Sequence, residues 1–106
     1  MKDKTNNPNQ PSPHCTLDTK EKVAAVVIAA LQLRFPDIEI TPTTKLDDDL
    51  GLDGDAAATL LPGMMRQATR DGGCETRLGS EAYRSLKTVQ DIVDAIREDL
   101  KDKCNL

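Results

Sequence analysis

Five aspartates lie within the nine residues from Asp47 to Asp55, and they form the densest group of reactive side chains in the chain. Carboxylates grouped this closely can bind a cation, complement the start of a helix or attract a basic surface. No Lys or Arg interrupts the stretch from residue 46 to residue 65. We therefore take this stretch as the candidate site, with these acidic members: Asp47, Asp48, Asp49, Asp53 and Asp55.

A calcium loop is one interpretation of this spacing. Counted from Asp49, an EF-hand pattern finds acidic residues at its fifth and seventh positions and a glycine at its sixth. The third position is Gly51, and the twelfth is Leu60 where the pattern requires a bidentate Glu. With two ligands missing, the sequence predicts at best weak calcium binding, and we assign no metal ligands.

The sequence contains no recognisable catalytic motif. The single histidine, His14, lies next to Cys15 in a polar N-terminal segment, and we take this pair as incidental because no partner residues converge on it. No phosphate loop or metal motif occurs. The chain has three widely spaced cysteines, Cys15, Cys74 and Cys104. Because their number is odd, they cannot form a complete disulfide framework, and the sequence predicts reduced thiols. We therefore expect a non-enzymatic protein of the cytoplasm.

Hydrophobic spacing predicts an all-α domain. Asp18 is expected to cap a first helix that ends before Pro36, because the residue preceding a proline is pushed away from helical geometry. An ordered loop is expected over residues 36–53. A second helix is expected to start near Gly54 and to kink or break at Pro62-Gly63, because an interior proline costs about 3 kcal/mol.

The rest of the chain predicts two further helices. Asp71-Gly72-Gly73 is a stop signal, and Ser80 is expected to cap a short third helix. Thr88 is expected to open a regular last helix. These elements place the folded domain at residues 17–102, between a disordered tail at 1–16 and a frayed end at 103–106.

Two stretches resemble the acyl carrier protein family. Residues 40–51 resemble the loop that leads to the family's attachment site, and residues 86–96 resemble its last helix. The resemblance covers roughly residues 17–100, although 64–85 match poorly. It implies a bundle of three or four helices with a long loop between the first and second. The stretch Asp49–Asp55 also resembles a group of uncharacterised, carrier-like bacterial proteins.

The resemblance implies a site that lacks its attachment atom. In the family, a serine at the start of the second helix carries phosphopantetheine, and acidic residues beside it dock onto basic patches of biosynthetic enzymes. The position that matches this serine is Gly54, which has no hydroxyl. The five aspartates match the acidic frame. No prosthetic group is therefore expected at the usual position, although Gly54→Ser is expected to create a transferase substrate.

Three interpretations of function follow from these observations. The first is an interaction module that binds a basic protein surface through Asp47–Asp55. The second is a carrier that uses another hydroxyl, with Thr59, Ser80 and Ser85 as candidates, and the third is the weak calcium loop. The local negative charge disfavours nucleic acid, and no apolar run approaches the roughly 20 residues that span a bilayer. A monomer is expected.

Overall fold

The computed structural model describes residue 17 and residues 19–104, with side chains as far as residue 101. The expected tail at 1–16 and the expected helix cap Asp18 lie outside the described residues. Residues 19–104 form no β-strand, and Lys45 and Thr88 make one isolated antiparallel bridge. The chain is therefore mostly helical, as the all-α prediction requires, with these four helices: α1 (Lys20–Arg34), α2 (Gly54–Asp71), α3 (Ser80–Arg84) and α4 (Val89–Cys104).

Helix α1 begins at Lys20 because Thr19 caps it. The Thr19 hydroxyl accepts a hydrogen bond from the Lys22 amide at 3.2 Å, which satisfies one of the unpaired donors of the first turn. The helix ends at Arg34, and the Phe35 amide still donates to the Leu31 carbonyl. The expected stop before Pro36 is confirmed. The face turned towards the core carries the buried residues Val23, Val27 and Leu31.

Helix α2 runs without interruption from Gly54 to Asp71, so a break at Pro62-Gly63 is wrong, and the alternative of a kink stays a prediction. Pro62 removes one backbone hydrogen bond, but Leu61 and Met65 beside it are both fully buried. Burying each such side chain contributes about 1.5–3 kcal/mol, which together offsets the cost of the proline. The helix stops as expected at Asp71, and Gly73 follows it with a left-handed φ of 91°.

The long loop between α1 and α2 is ordered, as expected, because side-chain and backbone hydrogen bonds hold it at both ends. The Gln32 side chain donates to the carbonyls of Phe35 and Ile38 at 3.1 and 2.8 Å. Further along, the Leu46 amide donates to the Lys87 carbonyl at 2.9 Å, so the loop is fixed against the start of α4.

Helix α4 begins with a reciprocal cap. The Thr88 hydroxyl accepts from the Asp91 amide at 3.2 Å, and the Asp91 carboxylate accepts from the amides of Thr88 and Lys87. The prediction that Thr88 opens this helix is confirmed. The helix extends to Cys104, two residues beyond the expected domain boundary, and residues 105–106 lie outside the described part. The expected short helix α3 is present, but Ser80 is its first residue and its N-cap is Gly79, so the prediction of Ser80 as the cap is wrong.

The helices enclose one aliphatic core. Helix α1 packs against both α2 and α4, and α2 packs against α3. Tyr83 of α3 is fully buried in this core together with residues such as Leu61 and Ile96. Over residue 17 and residues 19–104, we find no helix whose length and apolar character would allow it to cross a membrane.

Candidate functional site

The acidic turn, residues 47–55, is built by local backbone hydrogen bonds. The Asp49 carboxylate accepts from the Lys45 amide at 2.8 Å, and the Gly51 amide donates to the Asp47 carbonyl at 3.1 Å. Gly51 has a φ of 71°, a conformation that side chains rarely tolerate and that reverses the chain here. Leu50 and Leu52 point into the core, so the aspartates between and around them remain outside.

Asp53 is the cap of α2. Its carboxylate accepts a hydrogen bond from the Ala56 amide at 2.8 Å, and its backbone is extended as a capping residue requires. The negative charge of Asp53 and of Asp55 in the first turn also complements the positive end of the helix dipole. Two of the five aspartates therefore stabilise the helix start, as the sequence predicted.

Gly54, the position that matches the family's serine, lies directly against Arg84. A Cβ atom added to Gly54 would stand 3.1 Å from the Arg84 carbonyl oxygen and 3.4 Å from its Cγ. The first distance is shorter than ordinary van der Waals contact, so a side chain here requires the Arg84 carbonyl to shift by a few tenths of an ångström. Beyond lacking a hydroxyl, this position is therefore also tightly packed.

Arg84 also pairs with the acidic turn. Its guanidinium donates to the Asp55 carboxylate and lies 3.7 Å from the Glu81 carboxylate. The Arg84 side chain is 45% exposed and that of Asp55 is 86% exposed, so this ion pair is screened by solvent and contributes little to stability. The pair does hold the end of α3 over the start of α2.

All five aspartates of the acidic turn are exposed. Asp49 accepts a backbone hydrogen bond, Asp53 caps α2 and Asp55 pairs with Arg84, while the Asp47 carboxylate accepts from the Asp48 amide at 2.7 Å. These side chains nevertheless remain in contact with solvent. The structure thus brings the five predicted site residues onto one continuous surface segment, where they present a negative field.

The calcium interpretation finds no support in this geometry. Asp49 and Asp53 direct carboxylate oxygens at backbone amides, a use that competes with a cation. Within the part of the chain that the structure describes, no three Asp, Glu, His or Cys side chains converge closely enough to hold a metal ion.

The alternative attachment hydroxyls lie in different settings. Thr59 is on α2, and its hydroxyl donates to the Asp55 carbonyl at 2.9 Å. Ser80 starts α3, and Ser85 follows its last residue, both exposed. Helix α3 has five residues, which gives its N-terminus a much weaker dipole than that of the 18-residue α2. The helix terminus best suited to a phosphate therefore belongs to Gly54.

A polar cluster, formed by the buried Thr69 and Thr76 and the half-buried Asp99, was not predicted from the sequence. The Asp99 carboxylate accepts from the Thr76 hydroxyl at 2.8 Å and from the Arg77 amide at 2.9 Å. The Thr76 amide in turn donates to the Thr69 hydroxyl at 2.8 Å. These bonds fasten the segment after α2 onto α4. The hydrogen-bonding partners of Asp99 lie far apart from it in sequence, so no local sequence motif predicts these bonds.

Tyr83 lies close to this cluster. Its hydroxyl is buried and has no hydrogen-bond partner among the described residues. Burial disfavours the charged phenolate, and the nearby negative charge of Asp99 adds to this effect, so the pKa of Tyr83 is raised above its usual range. At the surface beside it, a hydrogen bond from Arg70 lowers the pKa of Glu75. Neither group belongs to the acidic turn.

Cys74 is disulfide-bonded. The expectation of reduced thiols is therefore wrong for this residue. Cys74 is 5% exposed and directly precedes the segment that Asp99 holds, so the bond adds a covalent constraint to this region.

Comparisons with known proteins return no relative. No protein-family model matches the sequence, and neither a curated protein nor a solved structure is detectably similar to it.

Proposed function

We propose that this chain is a non-enzymatic, carrier-like helical domain that binds a basic protein surface through the acidic turn and carries no phosphopantetheine at position 54. The observation that supports the proposal most strongly is the contact between Gly54 and Arg84. At the helix start where a prosthetic group would be attached, the Arg84 carbonyl at the end of α3 packs closely against the glycine. The acidic frame beside it is nevertheless ordered and exposed.

Electrostatics favour a basic protein as the partner. The acidic turn carries five carboxylates, and Arg84 is the cation that the structure places against them. A surface patch with this excess of negative charge speeds the approach of a positively charged surface and repels nucleic acid. Docking of this kind requires no reaction and no bound group, which agrees with the lack of a catalytic motif.

Mass spectrometry with a broad-specificity phosphopantetheinyl transferase and coenzyme A tests the carrier part of the proposal. We expect the wild-type chain to keep its mass. A stoichiometric gain of one arm would overturn the proposal, and peptide mapping would then show whether Thr59, Ser80 or Ser85 carries it. The alternative carrier interpretation depends on that gain.

Two substitutions of Gly54 distinguish the effect of the tight packing from the effect of the absent hydroxyl. Gly54→Ala adds only the crowded Cβ, and we expect it to lower the free energy of unfolding by about 1 kcal/mol. Gly54→Ser adds the same atom and the hydroxyl. If Gly54→Ser folds and is modified, the site is carrier-like in everything except this residue. If it folds and stays unmodified, the resemblance to the carrier family stops at the fold.

Binding is tested by NMR titration with a basic amphipathic helical peptide at low and high salt. We expect amide shifts concentrated at residues 45–56 that disappear as the salt concentration rises. The matched controls neutralise exposed acids elsewhere, Asp37→Asn and Glu98→Gln. If these controls weaken binding as much as Asp48→Asn with Asp55→Asn, the acidic turn is not a specific surface and the proposal fails.

A further inference from the structure

Arg84 brings a guanidinium to the acidic turn from another part of the chain. Its Nη1 group donates a hydrogen bond to the Asp55 carboxylate, although the two residues lie 29 positions apart in sequence. Its Nε also lies 3.7 Å from the carboxylate of Glu81, one turn earlier in α3. The fold itself therefore places a cation on the surface that the proposed function assigns to a basic partner.

The two ends of the Arg84 side chain are held differently. Its Cγ lies 3.4 Å from the position that a Cβ atom on Gly54 would occupy, so the carbon chain packs over the start of α2. The charged end is only half-buried, and the Asp55 side chain is almost fully exposed. An ion pair in such contact with solvent is weak and is screened by salt. The guanidinium can therefore leave Asp55 while the packing beneath it stays in place.

We propose that Arg84 is an autoinhibitory contact, which occupies Asp55 in the free protein and is displaced by a basic side chain of the partner. This inference rests on the proposed binding function of the acidic turn. While Arg84 is bound, it neutralises one of the five carboxylates and repels an incoming cation. Binding then exchanges one ion pair for another and needs no covalent step.

The hydrogen bonds of the acidic turn show why Asp55 matters for this exchange. Three of the five aspartates use carboxylate oxygens to accept from backbone amides. In the described part of the chain, the carboxylates of Asp48 and Asp55 accept from no amide, and Arg84 covers the second of them. Release of Arg84 thus leaves two carboxylates, instead of one, without a hydrogen bond inside the protein.

Arg84→Gln tests the inference. Glutamine keeps the Cβ and Cγ atoms that pack over Gly54 but carries no charge, so we expect the variant to keep its fold. In the titration with the basic helical peptide at low salt, the variant should bind about two- to fivefold more tightly than wild type, as expected for loss of a weak ion pair. The difference should disappear at high salt. An unchanged dissociation constant at low salt overturns the inference.

Lys87→Gln is the matched control, because it removes a positive charge beside the acidic turn without breaking an ion pair. The Lys87 carbonyl accepts from the Leu46 amide at 2.9 Å, which places this residue next to the turn. Its side chain is exposed and forms no ion pair within the described residues. We expect a smaller gain in affinity than for Arg84→Gln. Equal gains would show that only the local net charge matters and would overturn the inference.

A double-mutant cycle tests whether Asp55 is the group that Arg84 blocks. In an Asp55→Asn background, Arg84→Gln releases no carboxylate at position 55, so its gain should fall to that of Lys87→Gln. A gain as large as in the wild-type background would overturn the inference.

The same titrations distinguish failure of this inference from failure of the proposed function. If wild type binds the peptide at the acidic turn and Arg84→Gln binds it equally well, only the autoinhibitory role of Arg84 is wrong. If neither protein binds the peptide, the proposed function is wrong as well.

Discussion

Carboxylates in the acidic turn and in the polar cluster around Asp99 accept hydrogen bonds of similar length. The two regions differ in how far apart the bonded residues lie in the sequence. Asp49 and Asp53 accept from amides at 2.8 Å, and their partners lie within four residues in sequence. Asp99 accepts at 2.8 and 2.9 Å from Thr76 and Arg77, which lie 23 and 22 residues away. The first group therefore shapes one turn, whereas the second fixes the position of a whole segment.

Sequence separation and burial together decide what each carboxylate contributes. A local cap in solvent replaces one hydrogen bond to water by another and stabilises a helix start by about 1 kcal/mol. A carboxylate that bonds to a buried hydroxyl such as that of Thr76 leaves an unpaired buried group when it is removed. The aspartates of the acidic turn, which the sequence alone singles out, should thus contribute less to stability than Asp99 does. They therefore remain available for binding.

The largest effect should come from the covalent constraint beside the cluster. Reducing the disulfide of Cys74 is expected to lower the free energy of unfolding by about 2–4 kcal/mol, because the reduced chain gains freedom when unfolded. Urea unfolding with and without a phosphine reductant measures this difference. Cys74→Ser without reductant should reproduce it. Quantitative alkylation of all three cysteines in the unreduced protein would contradict the prediction.

Removing the long-range carboxylate should have the next largest effect. Asp99→Ala is expected to cost about 2 kcal/mol, since Thr76 and the Arg77 amide both lose a charged acceptor. Urea unfolding gives the magnitude, and amide hydrogen exchange should show faster exchange at residues 74–78. The matched control is Asp94→Ala, an exposed carboxylate on the same helix. Equal losses for the two variants would show that the cluster does not stabilise the fold.

Tyr83 provides a pH test of the same buried region. Its folded pKa is raised, so its stabilising contribution is complete below the unfolded pKa of about 10 and is lost as the pH rises above that value. We expect a loss of about 1.4 kcal/mol between low alkaline pH and pH 11. Tyr83 is the only tyrosine, so the near-ultraviolet absorbance of the phenolate reports it alone. Tyr83→Phe should remove the tyrosine-dependent loss.

The helix cap in the acidic turn should have a smaller effect. Asp53→Ala removes the bond to the Ala56 amide and is expected to cost about 1 kcal/mol. Asp53→Asn keeps an accepting oxygen, so it should restore most of the stability while removing the charge. If both variants lose equally, the helix dipole and not the hydrogen bond explains the contribution of this residue.

The sequence predicted local features well because local rules govern them. Thr88 opens α4 and Pro36 stops α1 because caps and prolines act within a few residues. The break at Pro62 was wrong because burial of Leu61 and Met65, a property of the folded chain, offsets a local cost. Arg84 over Gly54 and the disulfide of Cys74 were missed for the same reason, since each depends on contacts between distant segments.

Asp48 offers the sharpest separation of stability from binding. It lies within the acidic turn, it is exposed, and its carboxylate makes none of the helix caps described above. We expect Asp48→Asn to change the free energy of unfolding by less than about 0.5 kcal/mol, because surface substitutions away from such contacts are nearly neutral. The same variant should weaken the salt-sensitive binding of a basic peptide. An Asp48→Asn variant that unfolds more easily but binds the peptide as wild type does would contradict this prediction. The exposed carboxylate would then stabilise the fold, as we expect only of the polar cluster around Asp99.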